Sequence, residues 1–416
     1  MAAEGGDVVV GEEPEYEEKL DEQPKSILLS MMKQLKTGMD LSKVTLPTFI
    51  LEPRSFLEKC SDFMAHGSII LDLANVKDPM DRFLMVTKWY LSGFHFKPPG
   101  VKKPYNPILG EVFSCKWNHG DQGTTMYVAE QVSHHPPISA FHFVNRKAGW
   151  FVNCALRPRS KFLGNSAASI MEGEGQLVVL PLGNETYSFT LPSYYVRGLL
   201  IGVMRMEIAG DITITCKETN LTMNMTFKNK GYFKGENNSV EGKITQIGGK
   251  DTLKKIEGRW DRVINVTDKK SKDTTVLLDV DAEKSRSFMP MIMEPEDQQR
   301  YYESRKVWAH VTKGLKTHNV DMATENKSKL EDGQRAGKKE REEQKIEWTP
   351  KVFTSSSNGA NLGDWKFQHI KSTPYNPSDP EEAKFEERIK TLAKSGELAV
   401  GNALMAELKM NDMKVS

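Results

Sequence analysis

Apolar residues change their spacing along the chain, which divides it into an N-terminal helical part, a long β-rich part and a C-terminal helical part. From Ile27 to Leu35 they recur at intervals of three and four, which predicts an amphipathic helix ending before Gly38. This helix either packs on a core or forms a movable lid over about residues 25–46. Residues 1–24 are rich in Glu and poor in large apolar residues, so we expect them to be disordered.

Short β-rich runs separated by Gly, Asn and Asp fill the chain between about residues 104 and 280. In one of them Ile212, Ile214 and Cys216 share a face. About eleven runs without intervening helices predict a mainly β (α+β) fold, in which a large antiparallel sheet curls into a near-complete β-barrel with a lumen. The runs are GEVFSCKW, TTMYVAEQV, ISAFHFVN, GWFVNCALR, GQLVVL, TYSFTL, GDITITC, LTMNMTFK, VEGKITQI, IEGRWDRVINV and TTVLLD.

Helical spacing flanks the β-rich part on both sides. Before it, PRSFLEKCSDFMAHG and DPMDRFLMVTKWYLSG are predicted to be helices. After it, we expect a helical region over about residues 293–350 and a helical tail over residues 371–416. Gly333 and Gly337 lower the helix propensity of their segment, so a helix retained there is expected to dock against something else.

Charge and composition exclude several classes of function. The 57 Lys and Arg and 56 Asp and Glu residues leave a net charge of +1, so no global basic field indicates nucleic-acid binding. The four cysteines form no CxxC pair, and the N-terminal segment is acidic without an apolar run, as is typical of the reducing cytosol. No apolar stretch approaches the roughly 18 residues of a membrane-spanning helix. We therefore expect a cytosolic protein that at most contacts a membrane surface.

Lysines and an asparagine stand among prolines in the segment KKPYNPILGE, residues 102–111. Prolines hold the backbone open and rigid, which suits fixed donors directed at an anion. The alternative interpretation is an ordinary rigid loop with solvated lysines.

Two adjacent histidines, His134 and His135, precede two prolines in the run EQVSHHPP. Such a pair indicates catalysis, a metal or an anion. Pro136 favours extended backbone at His135, which would point the two rings to opposite sides. Rings so placed chelate one metal ion poorly, whereas a larger ligand with several phosphate oxygens can contact both. No HExxH or GxSxG motif supports catalysis. The alternative is a turn whose imidazoles bond to nearby backbone.

Lys327, Glu331 and Arg335 follow one another at intervals of four and project from one side of the predicted helix. One interpretation is a surface ladder of ion pairs. The other is a phosphate clamp, in which Glu331 orients the two cations.

The run EQVSHHPPISAF, the segment KKPYNPILGE and the three residues Lys327, Glu331 and Arg335 resemble the signature of the oxysterol-binding-protein-related lipid-transfer family. Further similarity, through LPTFILEPRSFLEK, GNSAASIMEGEG and WTPKVF, extends the resemblance over about residues 25–370. It implies a near-complete barrel around a tunnel for one lipid, with the N-terminal helix as a lid over its mouth. The chain resembles a short form of the family without a pleckstrin-homology domain.

The resemblance also implies ligands and the residues that bind them. A phosphatidylinositol 4-phosphate headgroup is expected at the rim of the tunnel. FLGNSAASIMEGEG and YYVRGLLIG are similar to the phosphatidylserine-carrying branch, in which Leu46 at the lid junction and Ser160 or Ser166 help to hold the serine headgroup. The residues expected at the phosphoinositide headgroup are Lys103, Asn106, His134, His135, Lys327, Glu331 and Arg335.

A transfer function follows from this resemblance as an expectation. The protein would exchange phosphatidylinositol 4-phosphate for phosphatidylserine between membranes, acting peripherally at the endoplasmic reticulum or other membranes. No enzymatic activity, cofactor or metal is implied. The alternatives are a sterol/phosphatidylinositol 4-phosphate exchanger, and a lipid sensor or scaffold that binds without net transport.

Overall fold

Helices stand at both ends of the chain and strands occupy its middle. The computed structural model describes residues 17–19, 21–33, 35–40, 47–96, 100–200, 202–228, 237–357, 359, 361–394 and 396–413. The helices are α1 (Glu22–Met32), α2 (Phe56–Lys59), α3 (Pro79–Ser92), α4 (Val280–Arg286), α5 (Ser304–Val307), α6 (Ala309–Lys316), α7 (Val320–Gln344), α8 (Pro380–Ala393) and α9 (Asn402–Met413).

The strands form one large sheet and two small ones. They are β1 (Glu17–Lys19), β2 (Leu51–Ser55), β3 (Lys103–Tyr105), β4 (Val112–Asn118), β5 (Thr124–His134), β6 (Pro137–Asn145), β7 (Trp150–Phe162), β8 (Ser166–Val179), β9 (Glu185–Thr190), β10 (Ser193–Arg197), β11 (Val203–Cys216), β12 (Leu221–Lys228), β13 (Ser239–Gln246), β14 (Lys254–Arg259), β15 (Val263–Asp268), β16 (Thr274–Asp279), β17 (Phe353–Ser355) and β18 (Trp365–Phe367).

The large sheet has 14 strands in the order β16-β15-β14-β13-β12-β11-β10-β8-β7-β6-β5-β4, and β9 joins β8 to β11 beyond the end of β10. Its strand pairs are antiparallel, and nearly all neighbours are consecutive in sequence. The prediction of a large antiparallel meander is therefore confirmed. Among the described residues β4 and β16 do not pair with each other, so the barrel is nearly complete rather than closed.

The helix α3 fills part of the concave side of this sheet. Asp78 caps it by accepting hydrogen bonds from the backbone N–H groups of Met80 and Asp81. Its aromatic residues pack on the inner strand faces; the ring centroids of Tyr90 and of Phe189 in β9 lie 5.5 Å apart. Ile212, Ile214 and Cys216 are buried in the same core, so the predicted shared face is confirmed.

Two local predictions are wrong. The first residues of PRSFLEKCSDFMAHG lie in β2, which pairs in parallel with β3, and only Phe56–Lys59 is α-helical before a 3-10 turn. The expected disorder of residues 1–24 does not hold at Glu17–Lys19, because these residues form β1 against Val203–Arg205 of β11. Strand pairing outweighs local propensity at both places.

The predicted amphipathic helix corresponds to α1, which packs by one face on the end of the sheet. Leu28 and Met32 are buried with Phe162 of β7 and Val101, the residue that lies two positions before β3. The chain after the helix continues onto the same edge, where the N–H of Gly38 donates to the carbonyl of Phe162 (2.7 Å). Part of the proposed lid, including Leu46, lies outside the described residues.

Candidate functional site

Two of the predicted cations, Lys103 of β3 and Lys327 of α7, lie close to Glu331, and His134 of the predicted histidine pair contacts α7 at Gln334. Lys103 lies in β3 and is half-buried. In α7 the Nζ of Lys327 donates to Oε1 of Glu331 (2.5 Å), and the Lys327 side chain is only 13% exposed. Burial lowers the pKa of Lys103; the charge of Lys327 lowers it further, and the carboxylate of Glu331 raises it. These three residues therefore lie within electrostatic reach of one another.

A buried carboxylate anchors the loop that carries Lys103. Glu111, the last residue of KKPYNPILGE, accepts hydrogen bonds on Oε1 from Ser55 (2.5 Å) and Ser304 (2.6 Å). Its Oε2 accepts from the N–H of Ile108 (3.0 Å) and from Nε1 of Trp308 (2.9 Å). Four donors compensate for its desolvation, and the loop is thereby fixed to β2 and α5.

A second carboxylate anchors the histidine hairpin in the same way. Glu130, the first residue of EQVSHHPP, is buried in β5 and accepts from the backbone N–H groups of Lys351 and Val352, both at 2.8 Å. Burial raises the pKa of Glu130 to about 7, although these hydrogen bonds lower it. The segment WTPKVF thus reaches the site through its backbone.

The two histidines stand side by side at the β5–β6 turn. His134 is the last residue of β5 and His135 lies in the turn, where Oγ of Ser133 donates to the carbonyl of Pro136 (2.7 Å). Their ring centroids are 4.4 Å apart. The prediction that the rings point to opposite sides is wrong, because the alternation of a strand ends at His134.

Gln334 of α7 fixes the orientation and tautomer of His134, and sequence reasoning missed it. Its Oε1 accepts from the N–H of Leu109 (2.7 Å), so its Nε2 is the donor to His134 Nε2 (2.9 Å). The neutral His134 ring must therefore carry its proton on Nδ1. Gln334 is buried in the turn of α7 between Glu331 and Lys338. A polar residue at a buried helix position is the feature of the sequence that could have indicated its role.

The Nδ1 of His134 is a buried donor that has no hydrogen-bond partner among the described residues. Burial lowers the pKa of His134 to about 4, with smaller contributions from the charges of His135, Lys338 and Arg341. Lys338 and Arg341, which the sequence analysis did not select, thus add positive charge beside the ring. The arrangement presents a fixed N–H to an acceptor and favours an anionic one.

Two predicted residues of the headgroup site have exposed side chains. Asn106 is exposed in the loop after β3. Arg335 is 67% exposed and its guanidinium contacts Asp332 (2.5 Å). The triplet in α7 therefore divides: Lys327 and Glu331 face Lys103, whereas Arg335 makes its ion pair on the exposed surface.

The strand register separates the two candidate serines. Phe162 pairs with Ala167 and Ser160 pairs with Ser169, so these four residues share the face that packs under α1. Ser166 alternates with Ala167 and lies on the other face, opposite Arg197 of β10.

The described residues contain no group of three or more His, Cys, Asp or Glu side chains that could hold a metal ion. His134 and His135 have no third ligand within that set. Their placement suits a larger acceptor.

Comparison with known proteins identifies the family. The model of the family described as oxysterol-binding protein matches residues 28–317 and 311–376. The chain belongs to the oxysterol-binding protein family. This family binds and transfers lipids, so the sequence prediction of a lipid-binding protein that is not an enzyme is confirmed.

Several curated relatives share most of this chain. Over 377 residues it is 42% identical to oxysterol-binding protein 4 of Dictyostelium discoideum, and the aligned region covers 88% of this chain and 78% of that protein. Over 363 residues it is 40% identical to human oxysterol-binding protein-related protein 8, and the aligned region covers 86% of this chain but only 40% of that protein. It is 38% identical to human oxysterol-binding protein-related protein 5, and that aligned region covers 86% of this chain and 41% of that protein.

Solved structures share the fold. The Osh1 ORD domain in complex with cholesterol superposes with a TM-score of 0.71 at 23% identity, covering 91% of this chain and 92% of that chain. The Osh3 ORD of Saccharomyces cerevisiae in complex with PI(4)P gives 0.64 at 20% identity, covering 92% and 96%. In the part of the chain that is described, none of the helices is both long and apolar enough to span a membrane.

Proposed function

We propose that the protein binds phosphatidylinositol 4-phosphate at Lys103, Lys327 and the histidine pair, and exchanges it for phosphatidylserine between membranes. The observation that carries this proposal is the Nδ1–H of His134, which has no hydrogen-bond partner among the described residues and which Gln334 holds in place beside Lys338 and Arg341. Phosphate oxygens accept hydrogen bonds from such donors and are attracted by the ammonium groups.

The rigidity of the site favours binding over chemistry. Glu111 and Glu130 hold both backbone segments before a ligand arrives, so little conformational entropy is lost on binding. Glu331 orients the Lys327 ammonium and leaves two of its three protons for the ligand.

The acyl chains would lie between α1 and the inner face of the sheet. Burial of each CH₂ contributes about 0.8 kcal/mol, which offsets the loss of bilayer contacts without any reaction. Exposed apolar side chains surround α1, among them Ile27, Leu163 and Leu200, and they support contact of this end with a membrane. Because both lipids would compete for one space, a gradient of the phosphoinositide would drive transport of the other lipid.

Transfer between liposomes of two compositions tests the proposal. The wild-type protein is expected to move phosphatidylinositol 4-phosphate well above background, and His134→Ala is expected to reduce this at least about tenfold through loss of a hydrogen bond to a charged group. His310→Ala, at an exposed position of α6, is the matched control and should transfer normally. Normal extraction by His134→Ala would overturn the headgroup assignment, and slow stoichiometric binding would indicate a sensor.

The serine headgroup is assigned to Ser160, because Ser160 lies under α1 and Ser166 lies on the opposite face. Ser160→Ala should reduce phosphatidylserine transfer several-fold, whereas Ser166→Ala, the matched control, should not. Equal effects of the two variants would argue against this assignment.

A sterol is the second candidate for the exchanged lipid, because the Osh1 ORD structures contain cholesterol and ergosterol. Native mass spectrometry of the purified protein distinguishes the two by the mass of the co-purified lipid.

A further inference from the structure

The C-terminal residues 397–404 pack directly on the segments that form the headgroup site. We name them the C-terminal brace. Their backbone donates twice to the site segments: Ala399 N–H to the carbonyl of Leu109 and Gly401 N–H to the carbonyl of Gly333, both at 2.8 Å. Arg341 Nη1 donates back to the carbonyl of Ala399 (3.0 Å). Leu398, Ala399 and Val400 are buried, so these contacts are shielded from water.

Glycines mark the places where the brace touches the site. A Cβ at Gly110, which has φ +84°, would overlap the carbonyl oxygen of Glu397. A Cβ at Gly337 would lie 2.5 Å from the carbonyl carbon of Val400 and 2.7 Å from the carbonyl oxygen of Ala399. At Gly333 the overlap would be with the end of the Leu404 side chain. Gly337 in particular permits a backbone-to-helix approach that no other residue allows.

A chain of hydrogen bonds links the brace to the donor at His134. Ala399 holds Leu109, Leu109 donates to Gln334, and Gln334 donates to His134. Apolar packing continues this connection, since Leu398, Val400 and Leu404 are buried in one hydrophobic cluster with Leu330 of α7. The brace therefore contacts both elements between which the Gln334 amide is held.

We propose that the C-terminal brace is a positioning element for the phosphorylated headgroup, which keeps Leu109, Gln334 and His134 in the geometry that directs Nδ1–H at the ligand. This inference rests on the proposed function for the identity of the ligand. It gives a role to the C-terminal tail, and it explains why α7 retains two glycines despite their low helix propensity.

Substitution of the glycines by alanine tests the brace in the full-length chain. Helix propensity alone predicts that Gly333→Ala and Gly337→Ala both stabilise α7 and leave the site unchanged. A brace predicts a graded effect. Gly337→Ala must displace backbone, Gly333→Ala displaces only a side-chain end, and Lys339→Ala, at a position 79% exposed, displaces nothing.

The histidine signals of ¹⁵N-labelled protein provide the readout, with His134 assigned from the spectrum of His134→Ala. We expect a single Nδ1–H tautomer in the wild type and in Lys339→Ala. In Gly337→Ala we expect a mixture of His134 tautomers and a His134 pKa shifted toward the ordinary value of a histidine. In Gly333→Ala we expect the same changes to be smaller. Extraction of phosphatidylinositol 4-phosphate by Gly337→Ala should fall about tenfold while phosphatidylserine extraction is retained.

An unchanged His134 tautomer and titration in both glycine variants would overturn the proposal, whatever happened to their stability. If Gly337→Ala does not fold, the milder Gly333→Ala decides the question with the same spectrum. If the wild type extracts no phosphoinositide, the proposed function fails, but the tautomer measurement, made without lipid, still decides whether the brace positions His134.

Discussion

Individual residues of the site divide into those that face a ligand and those that hold the backbone. Glu111 and Glu130 belong to the second group, since each is buried and accepts only from neutral donors. A carboxylate has about four acceptor positions and no donor, which makes it suited to gather several N–H and O–H groups at one point. No cation is needed at either place, and both loops are held by neutral groups.

Glu111→Gln is expected to destabilise the protein by about 2–4 kcal/mol, because the amide NH₂ would face two of the four donors that the carboxylate satisfies. Urea unfolding at pH 7 measures the change. The control is Glu257→Gln on β14, where the side chain is 50% exposed and pairs with Lys255. It should alter the free energy of unfolding by no more than about 0.5 kcal/mol. Equal effects of the two variants would contradict the anchoring role.

Residue types at the site could be predicted from the sequence, but their individual roles could not. Lys103, Lys327 and Glu331 lie within electrostatic reach of one another, and His134 contacts the same helix at Gln334. Gln334 was missed because its function depends on a contact with Leu109, 225 positions away in the chain. Arg335 is expected at the headgroup from its spacing and from the family resemblance, whereas in the structure its guanidinium pairs with Asp332 on the exposed surface.

At the scale of elements, local pattern predicts strands better than the partners of helices. Each β-rich run contains a strand, and IEGRWDRVINV contains parts of both β14 and β15, whereas the five-residue β10 was missed because it follows β9 after only two residues. The weak helix α7 was correctly expected to dock, but its partner, the C-terminal brace, lies about 60 residues further along, and no local signal identifies so distant a contact.

Leu28→Ala is expected to loosen α1 and shorten the retention of a bound lipid, because a buried leucine is lost from the small core under this helix. The measurement uses protein loaded with phosphatidylserine that carries a fluorophore on its acyl chain. Dithionite, added without liposomes, should quench the variant faster than the wild type. Ile27→Ala is the neighbouring control, since Ile27 is 46% exposed. Identical quenching of the Leu28→Ala and wild-type proteins would show that α1 is not a lid.

The whole molecule is held together by contacts between distant segments as well as by the sheet. Arg146, at the β6–β7 turn, donates to Glu382 of α8 through Nε (3.1 Å) and Nη2 (2.7 Å), and to the carbonyls of Lys371 and Thr373. The meander itself could be predicted, because consecutive strands are neighbours. The packing of the C-terminal helices and tail against the sheet could not be predicted, since it depends on contacts between residues more than 200 positions apart.

The pH dependence of stability is a property of the whole molecule, because buried groups in several parts of it titrate abnormally. Burial lowers the pKa of four histidines to about 4, so between pH 4 and 6.5 the unfolded chain binds more protons than the folded protein. Two buried glutamates with pKa raised to about 7 act in the opposite direction, as does Glu111, whose pKa burial also raises. These groups are His66, His95, His134, His142, Glu130 and Glu303.

Each of the four histidines should lose about 1–2 kcal/mol of its contribution to stability as the pH falls from 7 to 5, whereas the contribution of the buried glutamates should rise. Urea unfolding at the two pH values measures the net change in stability. His142 is buried against Phe367, so His142→Gln removes one of the four groups and should shift this change by about 1–2 kcal/mol in favour of pH 5. His310→Gln, at an exposed position, should leave it unchanged. The same change from pH 7 to pH 5 in His142→Gln and in the wild type would mean that His142 is not held neutral by burial.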